Sequence, residues 1–139
     1  MPSVFTRILA GEIPGTFVYR DDLCAAFLTI NPITDGHLLL CPVAEVDKWT
    51  DLEPSVSSHL FSTARLLARA LEQAFACERV GLIVAGFEVP HCHLHLIPTA
   101  SMEDLSFANA AGHVERNDLE AHARAIRSAV VDQGLSPHE

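Results

Sequence analysis

The stretch Val89-Pro90-His91-Cys92-His93-Leu94-His95-Leu96-Ile97-Pro98 constrains this chain more than any other. Histidine recurs at every second residue, with Cys92, Leu94 and Leu96 between and after. A two-residue period predicts a strand with one imidazole face and one apolar face. Side chains two apart on a strand lie about 6.6 Å from each other, so three would line a cleft floor roughly 13 Å long. A solvent-facing strand has no structural need for that, and a chain with eight histidines in 139 residues seldom places three this way by chance. The stretch reads as a site first and a fold element second.

The rest of the chain supplies a frame for it. Ser3 is a candidate N-cap for a short helix with apolar Val4, Phe5, Ile8 and Leu9, ended by Gly11. Phe17 to Arg20, a turn at Asp21-Asp22, and Leu23 to Ile30 predict a β-hairpin. After a loop from Asn31 to Gly36, the apolar run from His37 to Pro42 predicts a central strand. The longest helix begins near Pro54 and buries Leu60, Ala64, Leu67, Leu71 and Phe75 along one stripe. A fourth strand is expected from Gly81 to Gly86, and the histidine strand follows it. Ala100 to Arg116 lacks periodicity and reads as a loop. Asn117 and Glu120 resemble a capping box for a last short helix carrying Leu119, Ala123, Ile126 and Val130. The expected fold is α+β: a five-stranded, mostly antiparallel sheet with one long helix and short N- and C-terminal helices. Such a sheet leaves an edge to protect, and pairing two copies is a common remedy.

Composition limits the function classes. A length of 139 residues suits one domain spanning 1–139, and 49% hydrophobic with 19% charged residues suits a folded core. The net charge of −9 disfavours nucleic acid and anionic membrane as partners, and the nine bases form no basic stripe. A small phosphate-bearing ligand held by local donors remains compatible. Cys24, Cys41, Cys77 and Cys92 are isolated from one another and read as reduced thiols. No apolar run reaches the roughly 18 residues of a membrane span, and no signal peptide is visible, so a cytoplasmic location is expected.

Neutral imidazole is a competent nucleophile near pH 7, and crowding histidines makes charging all of them costly. One can attack while a neighbour holds a proton, and a phosphate ester is a natural target. His37, beside Gly36 at a loop-to-strand junction, is the candidate fourth member. His59, His113, His122 and His138 fall on helix or loop segments and receive no role. The competing reading is metal, since His-x-His on a strand is a zinc geometry. Roughly 13 Å between the outer positions is awkward for a single ion.

His91-Cys92-His93-Leu94-His95-Leu96-Ile97 matches the His-φ-His-φ-His-φ-φ signature of the histidine-triad (HIT) family, φ being hydrophobic. Val4-Phe5, Ile8, Gly11-Glu12-Ile13-Pro14, Ala26-Phe27-Leu28, Asn31-Pro32, Gly36-His37 and Ala85-Gly86 also fall at the family's places. The chain thus resembles the bacterial Hint-like and Fhit-like branches along nearly its whole length. That resemblance implies a homodimer with a shared sheet, binding a purine nucleotide such as an AMP or GMP conjugate. It implies a hydrolase or transferase that cleaves a bond at the α-phosphorus of a nucleoside phosphoramidate or dinucleoside polyphosphate. His93 would form a nucleotidyl-histidine, His91 would orient it, and His95 and His37 would contact the α-phosphate and leaving group. Phe5, Phe27 and Ile30 would form the base pocket. No metal or other cofactor is needed for that chemistry.

The chain departs from the family pattern near the phosphate. After Gly86, Phe87 replaces a common glutamine, and Glu88 replaces a serine or threonine that helps the leaving group. Thr29 sits where an acid or amide usually binds the ribose, and Thr99 replaces a basic residue. Ser3 and Thr6 occupy the place of a zinc-binding Cys-x-x-Cys found in many bacterial members, so no zinc is expected there. Thr29, Phe87 and Glu88 keep open a nucleotide-binding protein with little catalysis, and the His-x-His spacing keeps open a histidine-rich metal-binding protein.

Overall fold

The computed structural model describes residues 1–139. Helix α1, Val4–Leu9, starts at Ser3, whose hydroxyl accepts from the Thr6 N–H at 3.0 Å, as an N-cap should. Strands β1, Phe17–Arg20, and β2, Cys24–Leu28, form the expected hairpin. Asp21 fixes its turn by accepting the Leu23 and Cys24 backbone N–H groups at 2.8 and 2.9 Å. Strand β3, Leu38–Pro42, is followed by helix α2, Pro54–Ala74, strands β4, Arg79–Ile83, and β5, Leu94–Thr99, and helix α3, Arg116–Asp132.

All neighbouring strands are antiparallel, in the order β1-β2-β3-β5-β4. Alternation then sorts side chains onto two faces. Leu38, Leu40, Leu94 and Leu96 point toward α2 and α3, where they meet Leu60, Leu67, Leu71, Ile126 and Val130 in the main core. The opposite face carries the register row Phe17–Phe27–Leu39–His95–Ile83, one residue from each strand. Helix α1 lays Phe5 against part of that row, beside Phe27, Leu39 and Cys41. His95 lies farther along that face, with the rings of His93 and His37 beside it.

The structure corrects several expected boundaries. The histidine strand begins at Leu94 rather than Val89, so only His95 of the three belongs to the sheet. Pro90 offers no N–H, the His91 N–H turns back to the Val89 carbonyl at 2.8 Å, and the Cys92 N–H bonds to Val46 in another loop. Strand β4 ends at Ile83, opposite His95, and not at Gly86. The C-terminal helix is long, at 17 residues, and starts at Arg116 with Glu115 as cap. Asn117 therefore lies inside it and forms no capping box. The 100–116 loop contains two short 3-10 turns, Met102–Leu105 and Phe107–Asn109. The four cysteines are unpaired, and Cys77 is half-buried where the other three are buried. No helix is long and apolar enough to cross a membrane.

The sheet's two edges differ. Along β1, Arg127 donates to the Phe17 carbonyl at 2.6 and 3.0 Å, and His138 N–H bonds to the Val18 carbonyl at 3.0 Å. Strand β4 has a pairing partner on one side only and leaves Leu82 exposed.

Candidate active site

Backbone partners set the proton positions in the histidine cluster. His93 Nδ1 lies 2.7 Å from the His91 carbonyl oxygen, which can only accept. Nδ1 therefore carries the proton, and the neutral ring has its lone pair at Nε2. His37 is the mirror case: its Nδ1 accepts from the Ile33 backbone N–H at 3.1 Å, which leaves the proton on Nε2. That proton is donated to His95 Nδ1 at 2.9 Å, so His95 holds its own on Nε2. Two rings 4.9 Å apart, His93 and His95, thus offer opposite groups, a lone pair and an N–H donor.

Electrostatics keeps these rings neutral. Burial, then the neighbouring His93 and His37, pushes His95 from 6.5 to about 3. Burial, then His93, pushes His37 from 6.5 to about 4. His93 is also lowered, by burial, although its bond to the His91 carbonyl and the nearby Glu88 carboxylate oppose the shift.

His91 faces the other way and is fully buried. Its Nε2 donates to the Pro42 carbonyl at 2.8 Å, and its Nδ1 meets the Ser3 hydroxyl at 2.8 Å. Glu45 Oε1 closes this network by accepting the Ser3 N–H at 2.6 Å and the Thr6 hydroxyl at 2.7 Å. The cleft floor of three equivalent histidines expected from the spacing is therefore absent. His93 and His95 line the cavities, and His91 holds their loop from behind.

The main cavity, about 300 Å³, is bounded by Phe5, Ile8, Phe27, Leu39 and the exposed Ile30 on its apolar side. Its polar side carries Thr29, Glu88, His93, His95 and Arg116. A second cavity of about 300 Å³ continues past His95 to His37, with Thr29, Asn31, Glu88 and Phe107. Phe107 sets its ring 4.9 Å from that of His95, edge to face. Gly86, at φ +89°, lines a smaller cavity of about 160 Å³ that also reaches His93. Phe87 stands apart at 98% exposure and lines none of the three. The left-handed backbone at Gly86 turns the chain so that Glu88, not Phe87, borders the histidines.

A HIT domain model matches residues 10–102, about two thirds of the chain. This protein belongs to the HIT family. An HIT-like protein of Mycobacterium tuberculosis is 32% identical over 144 residues, with 100% of each chain covered. The HIT family also includes nucleotide hydrolases similar to this chain. An adenylylsulfatase of Arabidopsis thaliana is 33% identical over 68% of this chain and 51% of its own. A bis(5'-nucleosyl)-tetraphosphatase of Schizosaccharomyces pombe is 38% identical over 58% of this chain and 47% of its own. The chain thus spans about half the length of these two enzymes. Among solved structures, a zinc-bound histidine triad family protein from Mycobacterium smegmatis superimposes with a TM-score of 0.79, at 26% identity and 94% coverage of both chains.

Zinc fits poorly where the resemblance would place it in this HIT protein. Ser3 and Thr6 supply hydroxyls rather than thiolates, and both are already bonded within the Glu45–His91 network. A set of one imidazole, one carboxylate and two neutral hydroxyls lacks the ligands of a structural zinc site.

Sequence reasoning missed Phe107, Arg116 and Glu45, and it placed Asn31 in the family pattern without giving it a role at the site. Phe107 is an aromatic residue in a stretch of small and polar ones, which was a usable signal. Arg116 and Glu45 carried none, because only the tertiary fold brings them beside the triad.

Proposed function

We propose that this HIT protein is a nucleotide hydrolase or transferase that cleaves a bond at the α-phosphorus of a purine nucleotide conjugate through His93. The observation that carries this reading is the opposed pair of tautomers, a lone pair on His93 Nε2 beside an N–H on His95 Nε2. Nε2 of His93 forms the bond to phosphorus while the bond to the leaving group breaks, the leaving group departing with its electron pair and, where it is an amine, with a proton taken from solvent. The positive charge on the nucleotidyl-imidazole is stabilised at Nδ1–H by the His91 carbonyl. Water then attacks phosphorus, the P–N electron pair returns to Nε2, and the proton that water loses passes to solvent. His95 Nε2–H donates to a phosphate or leaving-group oxygen, and His37 fixes its tautomer. Phe5, Phe27 and Ile30 suit a purine, Thr29 and Asn31 a ribose, and Gly86 the backbone approach to a phosphate.

The reading takes residues 1–139 as one catalytic domain acting as a cytoplasmic homodimer. The unpaired edge of β4 supports a shared sheet, since the β1 edge is already covered. Incubating the protein with adenosine phosphoramidates and dinucleoside polyphosphates should release nucleoside monophosphate, with a nucleotidyl adduct on His93 by mass spectrometry. His93→Ala should lower turnover by about 10³-fold or more. Unchanged turnover in that variant would overturn the assignment.

A second reading, nucleotide binding with little catalysis, is favoured by Glu88, whose carboxylate borders both histidine cavities. A negative charge there opposes a bound phosphate. Calorimetric binding of AMP without turnover across the same panel would select it.

A further inference from the structure

On the helix-covered side of the sheet, away from the triad, three metal-binding side chains of different chemistry converge. Asp21 sits in the β1–β2 turn, Cys24 opens β2, and His59 projects from α2. One ligand atom from each, a carboxylate oxygen, the thiol sulfur and an imidazole nitrogen, lies within 4.8 Å of the other two. We propose that Asp21, Cys24 and His59 form a binding site for a zinc-type divalent cation.

Geometry and donor chemistry both carry this assignment. Zinc bonds of about 2.0 Å to N or O and 2.3 Å to S put tetrahedral ligand atoms roughly 3.3–3.6 Å apart. The three ligand atoms bracket that spacing, with one pair at 2.6 Å and none farther apart than 4.8 Å. The 2.6 Å contact of His59 Nε2 with Asp21 Oδ2 needs to open by less than about 1 Å. One sulfur, one nitrogen and one oxygen select a borderline-soft ion such as Zn²⁺ over Mg²⁺ or Ca²⁺. The carboxylate is oriented in advance: Oδ1 accepts two backbone N–H groups of the turn, and Tyr19 donates to Oδ2 at 2.7 Å. A hydroxyl bonded to a ligating carboxylate is a common outer partner of metal sites.

Access and charge are compatible with uptake. Cys24 is buried, but the His59 and Asp21 side chains keep 37% and 25% exposure, which leaves an entry path and room for water as fourth ligand. The ion binds by displacing the thiol proton to solvent, the sulfur electron pair passing to the metal. Bound there, the ion would tie the β1–β2 hairpin to α2. With the site empty, the hydrogen bonds on Asp21 hold the same groups together.

Cobalt(II) titration of the metal-free, untagged full chain tests the site. One equivalent should produce a thiolate-to-cobalt charge-transfer band in the near ultraviolet, removed by stoichiometric Zn²⁺. The band should survive Cys41→Ser and Cys92→Ser, vanish in Cys24→Ser and weaken strongly in His59→Gln. Tyr19→Phe should cost about tenfold in affinity. His59 is partly exposed, so His59→Gln remains readable by circular dichroism and titration even if Cys24→Ser fails to fold. Absence of a thiolate band in the unmodified protein, or binding unchanged in His59→Gln, overturns the proposal. So does cobalt binding without thiolate character, which would place the ion elsewhere.

Discussion

Two imidazole networks flank His93, and they are built oppositely. Behind it, His91 is closed on every side: Nε2 donates to Pro42, Nδ1 meets Ser3, and the network ends on the Glu45 carboxylate. Beside it, His37 and His95 start from a backbone N–H and end in the open, with an N–H at the cavity. The same side chain serves as a buried strut in one arm and presents an N–H to the cavity in the other. The difference arises from the backbone atom each ring meets, since a carbonyl forces one tautomer and an N–H forces the other.

Breaking the open arm should cost most. Replacing His95 with Phe removes the cavity donor while retaining a ring, and kcat should fall by about 10²–10³-fold, the usual cost of one donor aimed at developing charge. His95→Gln, whose amide can still donate, should recover part of that loss. Equal losses in the two variants, measured with one phosphoramidate substrate, would show that ring position and not the donor matters.

The open arm also predicts acid sensitivity. His37 and His95 titrate at about 4 and about 3 in the folded protein against 6.5 when unperturbed. Between those values the unfolded chain binds more protons, so stability falls as pH drops from 6.5 towards 4. Above 6.5 both rings are neutral in either state, and their contribution is complete. Urea denaturation across this range should show the decline, and His37→Asn should make it shallower, with His95 supplying the remainder. A flat profile in the unmodified protein would mean that the rings are not held neutral.

Legibility in the sequence divides along the same line. Local pattern was readable: the Leu60–Leu71 stripe after Pro54 and the Asp21-Asp22 turn appear where periodicity and turn chemistry put them. The inward position of His91 was not, because it depends on Pro90 and on the bond from Cys92 to Val46, 46 residues away. Register was equally hidden, since nothing in the separate strands tells that Phe27, Leu39 and His95 stand abreast. Period two marked three histidines that the fold keeps close together, yet overstated how alike they are. The start of α3 was misread for a related reason: Asn117 suits an N-cap, but Glu115 takes that place without a side-chain cap.

The closed arm should show its value in stability more than in rate. Ser3→Ala removes both the cap of α1 and the partner of a fully buried imidazole nitrogen. Each loss is typically about 1 kcal/mol, giving about 2 kcal/mol in urea denaturation. Turnover should change only a few-fold, because the His91 carbonyl that orients His93 stays in place.

Phe107→Ala should have the smallest effect, and it tests whether the open arm is shaped for its ligand. The ring packs edge to face with His95 and borders the second cavity, so it lies on the leaving-group side of the proposed reaction. An aromatic pair contributes about 0.5–1.5 kcal/mol, which bounds the expected change in kcat/KM at roughly tenfold. If Phe107 selects the leaving group, the change should depend on it: bulky leaving groups should gain relative to small ones as the cavity widens, while the His93 adduct is unaffected. If it only supports His95, all substrates should lose equally and the loss should appear in kcat. Comparing a small phosphoramidate with a dinucleoside polyphosphate separates these outcomes, because only a residue that touches the leaving group can change their ratio.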